Sequence, residues 1–138
     1  MKLNKSVFRY IEHELYNYEA TKKEIAEIRE DVINGVPAVS ELCTSIQSGR
    51  TSDTTGDKAE KLLTNSMLVR MCRTVDAIDR ALRRLSENHR ALFQLKYITA
   101  MPWESVCIEM PTSERSYFRT RKELVSMVAL EMGLGYYE

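Results

Sequence analysis

The chain lacks the signals that mark the commonest enzymes. It has no GxxxxGK[ST] loop to cradle a nucleotide phosphate, no HExxH pair of zinc ligands and no GxSxG nucleophile turn. His89 beside Glu87 reads as a surface cap rather than a general base. Catalysis, and with it a cofactor, is therefore not expected. No apolar run approaches the roughly 18 residues of a membrane span, so no membrane is expected as a partner. The N-terminus alternates charged with apolar residues and lacks the continuous apolar core of a signal peptide. Cys43, Cys72 and Cys107 form no CxxC and lie far from His13 and His89 in sequence, which argues against a zinc site. An odd set of widely spaced thiols fits a reducing cytoplasm. Strand signals are scarce. The charge has no overall sign either, with 20 Lys+Arg against 20 Asp+Glu. A polyanion would have to meet a local patch, not an average.

What the chain has in quantity is helix. Val7, Ile11, Leu15, Tyr18, Ile25, Ile28 and Val32 recur at helical steps, with a gap at Lys22. This stripe predicts one long helix from about Asn4 to Ile33, supported by the Glu19–Lys23 pair and ended by Asn34–Gly35 and Pro37. A rod of that length, about 45 Å, exceeds the width of a small domain. Its stripe has two possible covers, a second copy of the chain or the second long helix of the same chain. Residues 35–56, rich in Ser, Thr and Gly, have linker chemistry. The second long helix is expected from Asp53 or Asp57 to about Leu85, with Ala59, Leu62, Leu63, Met67, Leu68, Met71, Val75, Ile78 and Leu82 as its apolar positions. Arg70, Arg73, Arg80, Arg83 and Arg84 crowd its polar face against Asp76 and Asp79. The default reading of that face is solvated. The expected organisation is all-α, with residues 1–34 a long helix for interaction or dimerisation, 35–56 a linker, 57–85 a second long helix and 86–138 a further domain.

That C-terminal segment carries the functional signal. Ser86 is a suitable N-cap for a helix whose buried side is expected at Ala91, Leu92, Leu95 and Ile98. Pro102 suits the first turn of a short helix, in which Trp103, Val106, Cys107 and Met110 share a face. Pro111 stops it, and Ser113 caps the next. This is the layout of a helix-turn-helix, whose second helix enters a DNA major groove. In that helix Tyr117, Leu124 and Val128 mark the buried face. Arg115, Phe118, Arg119 and Lys122 then form a neighbouring exposed stripe. Arginine offers paired donors to guanine O6 and N7. Phe118 suits a thymine methyl group or simply covers the adjacent helix. Glu114 accepts from a cytosine amino group or stabilises the positive helix end. Arg121 lies nearer the buried side and is expected to reach a phosphate. Gly133 and Gly135 close the helix.

Residues Leu85–Val128 resemble the fourth conserved region of bacterial sigma factors, in LSENHRALFQLKY, WESVCIEM and SERSYFRTRKEL. A second resemblance spans nearly the whole chain. It is to the phage late-operon transcription activators of the RinA and ArpU type, in YNYEATKKEIAEIREDV, Ser52–Ala59, MPWESV, Ser113–Arg119 and Ala129–Gly133. The resemblance implies a cytoplasmic protein of an infected or lysogenic bacterial host. It would switch on late genes by binding double-stranded DNA at a promoter or operator and engaging RNA polymerase holoenzyme. Carried over position by position, the DNA-reading residues are Ser113, Glu114, Arg115, Ser116, Phe118 and Arg119, beside Arg121 and Lys122 from the charge pattern. A homodimer through the N-terminal helix would add phosphate contacts. The competing reading is a phage small terminase subunit, which binds packaging-site DNA as an oligomeric ring. A complete sigma factor is disfavoured, since residues 53–85 hold no Trp, Tyr or Phe to melt a promoter.

Overall fold

The computed structural model describes residues 3–33 and 54–135, with side chains described over 3–31 and 65–135. Every regular element among them is helical, and the fold is all-α. None of these helices is long and apolar enough to cross a membrane. The helices are α1 (Lys5–Tyr16), α2 (Tyr18–Ile33), α3 (Thr54–Arg84), α4 (Glu87–Leu92), α5 (Trp103–Glu109) and α6 (Glu114–Glu131), with a π-helical segment at Phe93–Ile98 between α4 and α5. The second long helix thus falls where its apolar spacing put it, and residues 54–56 of the expected linker already belong to it. Most of that linker, Cys43 and Tyr136–Tyr137 lie outside the described residues.

The N-terminal helix is not one rod. Asn4 caps α1 by accepting the Ser6 N–H at 2.9 Å, and the helix breaks at Asn17 (φ −91°, ψ 3°). Asn side chains compete with the helical ladder for backbone and nearby polar groups. Here the Asn17 amide meets His13 Nε2 at 3.0 Å, one turn back. The chain divides just past this break. Met1–Glu19 clusters with Arg73–Glu138, and Ala20–Cys72 forms a second unit. The larger unit thus takes in α1 and the end of α3 together with the segment expected from residue 86 onward.

In the larger unit α6 packs against α1, α4 and α5. Leu124, Val125, Val128 and Ala129 of α6 are fully buried, as are Ile11 and Leu15 of α1 and Ile78 and Ala81 of α3. Each large aliphatic side chain so buried contributes about 2 kcal/mol of hydrophobic stabilisation. The π-helical segment corrects one sequence expectation. Leu92 is buried as expected, but its companions are Phe93 and Tyr97, while Ala91, Leu95 and Ile98 are half-buried. The Thr99 N–H bonds the Gln94 carbonyl, five residues back, at 2.9 Å. The wide turn inserts a residue and rotates the following side chains off the 3.6-residue phase. Ala100 then takes a left-handed conformation (φ 58°), which costs a non-glycine residue about 1–2 kcal/mol.

The helix ends show their chemistry. Ser86 stands at the N-cap of α4, yet its hydroxyl pairs with His89 Nδ1 at 2.7 Å and not with a backbone amide. Arg90 donates to the Leu82 and Leu85 carbonyls and so closes the end of α3. Gly133 (φ 76°) ends α6. Its N–H bonds the Leu130 carbonyl and that of Leu134 bonds Ala129, the paired bonds of a Schellman cap.

The smaller unit holds most of α2 and the first part of α3. Ile25 is buried within the single chain, and Arg29 reaches the Cys72 sulfur at 3.4 Å. The covering of Ile25 therefore needs no second copy.

Candidate nucleic-acid interface

α5 and α6 are joined by the turn at 110–113. Pro102 stands one position earlier than expected, as the extended N-cap of α5 (φ −67°, ψ 159°). Val106 plugs the interior completely. Trp103, expected inside with it, is 37% exposed, and its ring lies 6.1 Å from that of Phe118. Met110 ends α5 ahead of Pro111. Ser113 caps α6 by accepting the Ser116 N–H at 3.1 Å.

The faces of α6 separate cleanly. Tyr117, Leu124 and Val128 are buried at the spacing read from sequence, joined by Val125 and Ala129. Ser113, Glu114, Arg115, Phe118, Arg119 and Lys122 are exposed, and Ser116 is half-buried. Among the described residues no carboxylate forms an ion pair with Arg115 or Lys122. Arg119 has a loose contact, 3.7 Å to Glu123 one turn on, and its side chain is 73% exposed. Such an i,i+4 pair is worth about 0.3–0.5 kcal/mol, so an incoming anion displaces it readily. Glu123 is held more firmly by His89 Nε2, at 2.9 Å. His89 thus bridges Ser86 to α6, a larger structural role than the surface cap that its neighbour Glu87 suggests. Phe118 packs edge-on to Tyr117 at 5.0 Å and against Trp103, so it seals the α5–α6 seam while one side stays open.

Arg121 behaves differently from its neighbours. Its guanidinium grips the Glu12 carboxylate of α1 with both oxygens, at 2.6 and 3.0 Å. The Phe8 ring lies 5.0 Å from it. Tyr97 donates to the same carboxylate at 2.7 Å, and Lys96 stands 3.9 Å away. Burial works to raise the Glu12 carboxyl. The hydrogen bonds from Arg121 and Tyr97, with the charges of Arg121 and Lys96, outweigh it and hold Glu12 below its ordinary value. Burial first, then Glu12, push the Tyr97 phenol far above its ordinary range. The Glu12 hydrogen bond likewise raises Arg121. Arg121, expected to reach a phosphate, places its Nε and Nη2 donors on Glu12 and so ties α6 to α1.

The arginines of α3 divide in the same way. Arg80 and Arg84 both bind Glu131 at the end of α6, at 3.0 and 2.7 Å. Hydrogen bonding from Arg80, with the Arg84 charge, lowers the Glu131 pKa.

The family model described as a protein of unknown function (DUF722) matches residues 8–129. The chain belongs to this family. A relative named "Transcriptional activator rinA", from Staphylococcus phage phi11, is 24% identical over 136 residues, covering 95% of this chain and 94% of that protein. It bears out the resemblance to activators of the RinA type. No solved structure gives a significant match. The DUF722 match runs from Phe8 in α1 to Ala129 in α6, so it takes in both the Glu12–Arg121 tie and the exposed stripe.

Sequence reasoning missed Phe8, Glu12, Lys96 and Tyr97. One signal pointed to Glu12. It sits among Phe8, Ile11 and Leu15 on the apolar side of α1, where a carboxylate needs a partner, and Arg121 sits equally oddly near the buried side of α6.

Proposed function

We propose that this DUF722 protein is a sequence-specific DNA-binding transcription activator of phage late genes that engages host RNA polymerase in the bacterial cytoplasm. The observation that carries the reading is the exposed stripe Arg115, Phe118, Arg119 and Lys122 on α6, whose cations lack firm carboxylate partners while neighbouring arginines have them. The phi11 relative, named a transcriptional activator, supports the activator role.

In this reading α5, its turn and α6 act as a helix-turn-helix, and the N-terminal half of α6 enters the major groove. Arg115 and Arg119 present paired donors to guanine edges. Phe118 offers its open side to a thymine methyl group, and Lys122 meets a phosphate. Ser113, Glu114 and Ser116, in the first turn, complete the reading surface, with Glu114 placed for a cytosine amino group. Arg121 holds the helix in place. Few phosphate contacts on a neutral chain give modest affinity alone. RNA polymerase, or a second copy of the chain, supplies the rest.

A genome-wide map of bound DNA in infected cells tests this directly. Enrichment at late promoters, lost in an Arg115→Ala, Arg119→Ala variant, is the expected result. Enrichment only at a packaging start, with a particle mass of eight or more subunits by light scattering, would replace the activator with the terminase reading.

A further inference from the structure

We propose that Lys5 and Arg9 on α1 form a second DNA contact, gripping phosphates beside the groove that α6 enters. The proposal rests on the DNA-binding reading above and extends it to a helix outside the helix-turn-helix.

Lys5 and Arg9 stand one turn apart, both exposed, and no carboxylate pairs with either among the described residues. Like charges at that spacing repel. They also occupy the wrong end of the helix, since cations near a helix N-terminus oppose its dipole. The first turn of α1 holds no acid to offset them, and no acidic residue precedes Glu12 in the chain. Arg80, Arg84 and Arg121, by contrast, each meet a carboxylate. A local arrangement that opposes folding preferences and is left uncompensated marks a place where function sets the residues.

Position identifies the missing partner. Phe8 lies between Lys5 and Arg9 in sequence, and its ring packs 5.0 Å from the Arg121 guanidinium. That guanidinium is 6.0 Å from the Phe118 ring on the exposed stripe, and Lys122 follows it in the chain. The Phe8 and Arg121 side chains thus link α1, the helix that carries Lys5 and Arg9, to Phe118 of the α6 stripe. A major groove is about 12 Å wide and lined on each side by phosphates. A helix braced against the flank of α6 is placed to meet that backbone. Phosphate contact carries no sequence information, so these residues set affinity and salt dependence while the stripe sets specificity.

The test uses the full chain and fluorescence anisotropy on two duplexes, the most enriched genomic fragment and a random-sequence duplex of equal length, across a salt series. Lys5→Gln with Arg9→Gln is expected to weaken binding about tenfold on both duplexes. It should also flatten the slope of log K against log [salt] by about 2, near 0.9 per phosphate lost. The charge-keeping pair Lys5→Arg, Arg9→Lys should restore both, which a purely structural role would not predict. Removing the repulsion should leave the melting temperature equal or higher. An unchanged slope, in a protein whose sequence preference Arg115→Ala and Arg119→Ala still abolish, overturns this proposal and leaves the DNA reading standing. Failure of the wild-type chain to bind either duplex overturns both.

Discussion

Arg80 and Arg84 near the end of α3, and Arg115 and Arg119 near the start of α6, are the same motif in two places. Each is an arginine pair one helical turn apart on an exposed face. The α3 pair closes on one carboxylate, Glu131. The α6 pair has only the 3.7 Å contact between Arg119 and Glu123. A cation excess in sequence is thus ambiguous until the opposing carboxylates are placed. Arg121 makes the point within a single helix, since it is surrounded by exposed cations yet answers a glutamate on another helix. The difference separates arginines that hold the fold from arginines with no firm carboxylate among the described residues.

The sharpest way to break this comparison is to remove the unanswered pair. Arg115→Ala with Arg119→Ala should cost about 2–6 kcal/mol of discrimination, from about 1–3 kcal/mol per bidentate base contact. Folding stability should move by no more than about 0.5 kcal/mol, as for surface positions with no structural partner. Competition between preferred and random duplexes, beside urea melts, reads both quantities. Retained preference with lost stability would invert the assignment.

Next in size is the answered arginine of α6. Glu12→Leu leaves a half-buried guanidinium unpaired and the Tyr97 hydroxyl without its acceptor, and should destabilise the fold by about 2–4 kcal/mol. Arg121→Met should cost a similar amount. The double variant should cost clearly less than the sum, since residues in one network are coupled. Additive urea-melt values would show that the pair does not act as a unit.

The reach of sequence reasoning follows the same division. The buried positions Tyr117, Leu124 and Val128, the Ser113 cap, the Gly133 terminus and the extent of α3 are local, periodic signals, and the structure holds them where the spacing put them. The Glu12–Arg121 tie joins residues 109 positions apart, and no local pattern encodes which acid meets which base. The break at Asn17 and the π-helical turn after Leu92 escaped for another reason. Each adjusts the helical phase so that side chains meet partners on other helices, Tyr18 with Phe93 and Tyr97 with Glu12. Tertiary packing chose those departures over regular helix. The exposed stripe was legible because exposure on α6 is simply what the buried face leaves behind.

Acid should expose the answered pairs selectively. Glu12 and Glu131 are both held below their ordinary value of 4.5. A depressed carboxyl contributes stability that is fully present above its unfolded value and is lost as pH falls through the folded one. Stability should therefore hold down to about pH 5 and decline below it. The Glu12→Leu, Arg121→Met double variant should decline less steeply. Equal slopes for the two proteins in urea melts between about pH 5 and pH 3 would mean that Glu12 is not depressed by its partners.

The smallest effect should come from the pair that sequence composition made most conspicuous. Arg80→Ala with Arg84→Ala removes as much positive charge as the α6 double variant, so a chain that bound DNA through charge alone would respond equally to both. The structure predicts otherwise. With the Glu131 carboxylate already offsetting both guanidinium charges, phosphates gain little there, and affinity should fall by less than about threefold at moderate salt. The lost contact is partly exposed and screened, so the melting temperature should drop slightly at low salt and converge with wild type as salt rises. Glu131→Gln supplies the complementary test. It frees both arginines without removing them, and non-specific DNA affinity should rise rather than fall, with a steeper salt slope. If the arginine double variant instead loses binding as severely as the Arg115 and Arg119 variant, the Glu131 clamp opens on DNA and α3 joins the binding surface.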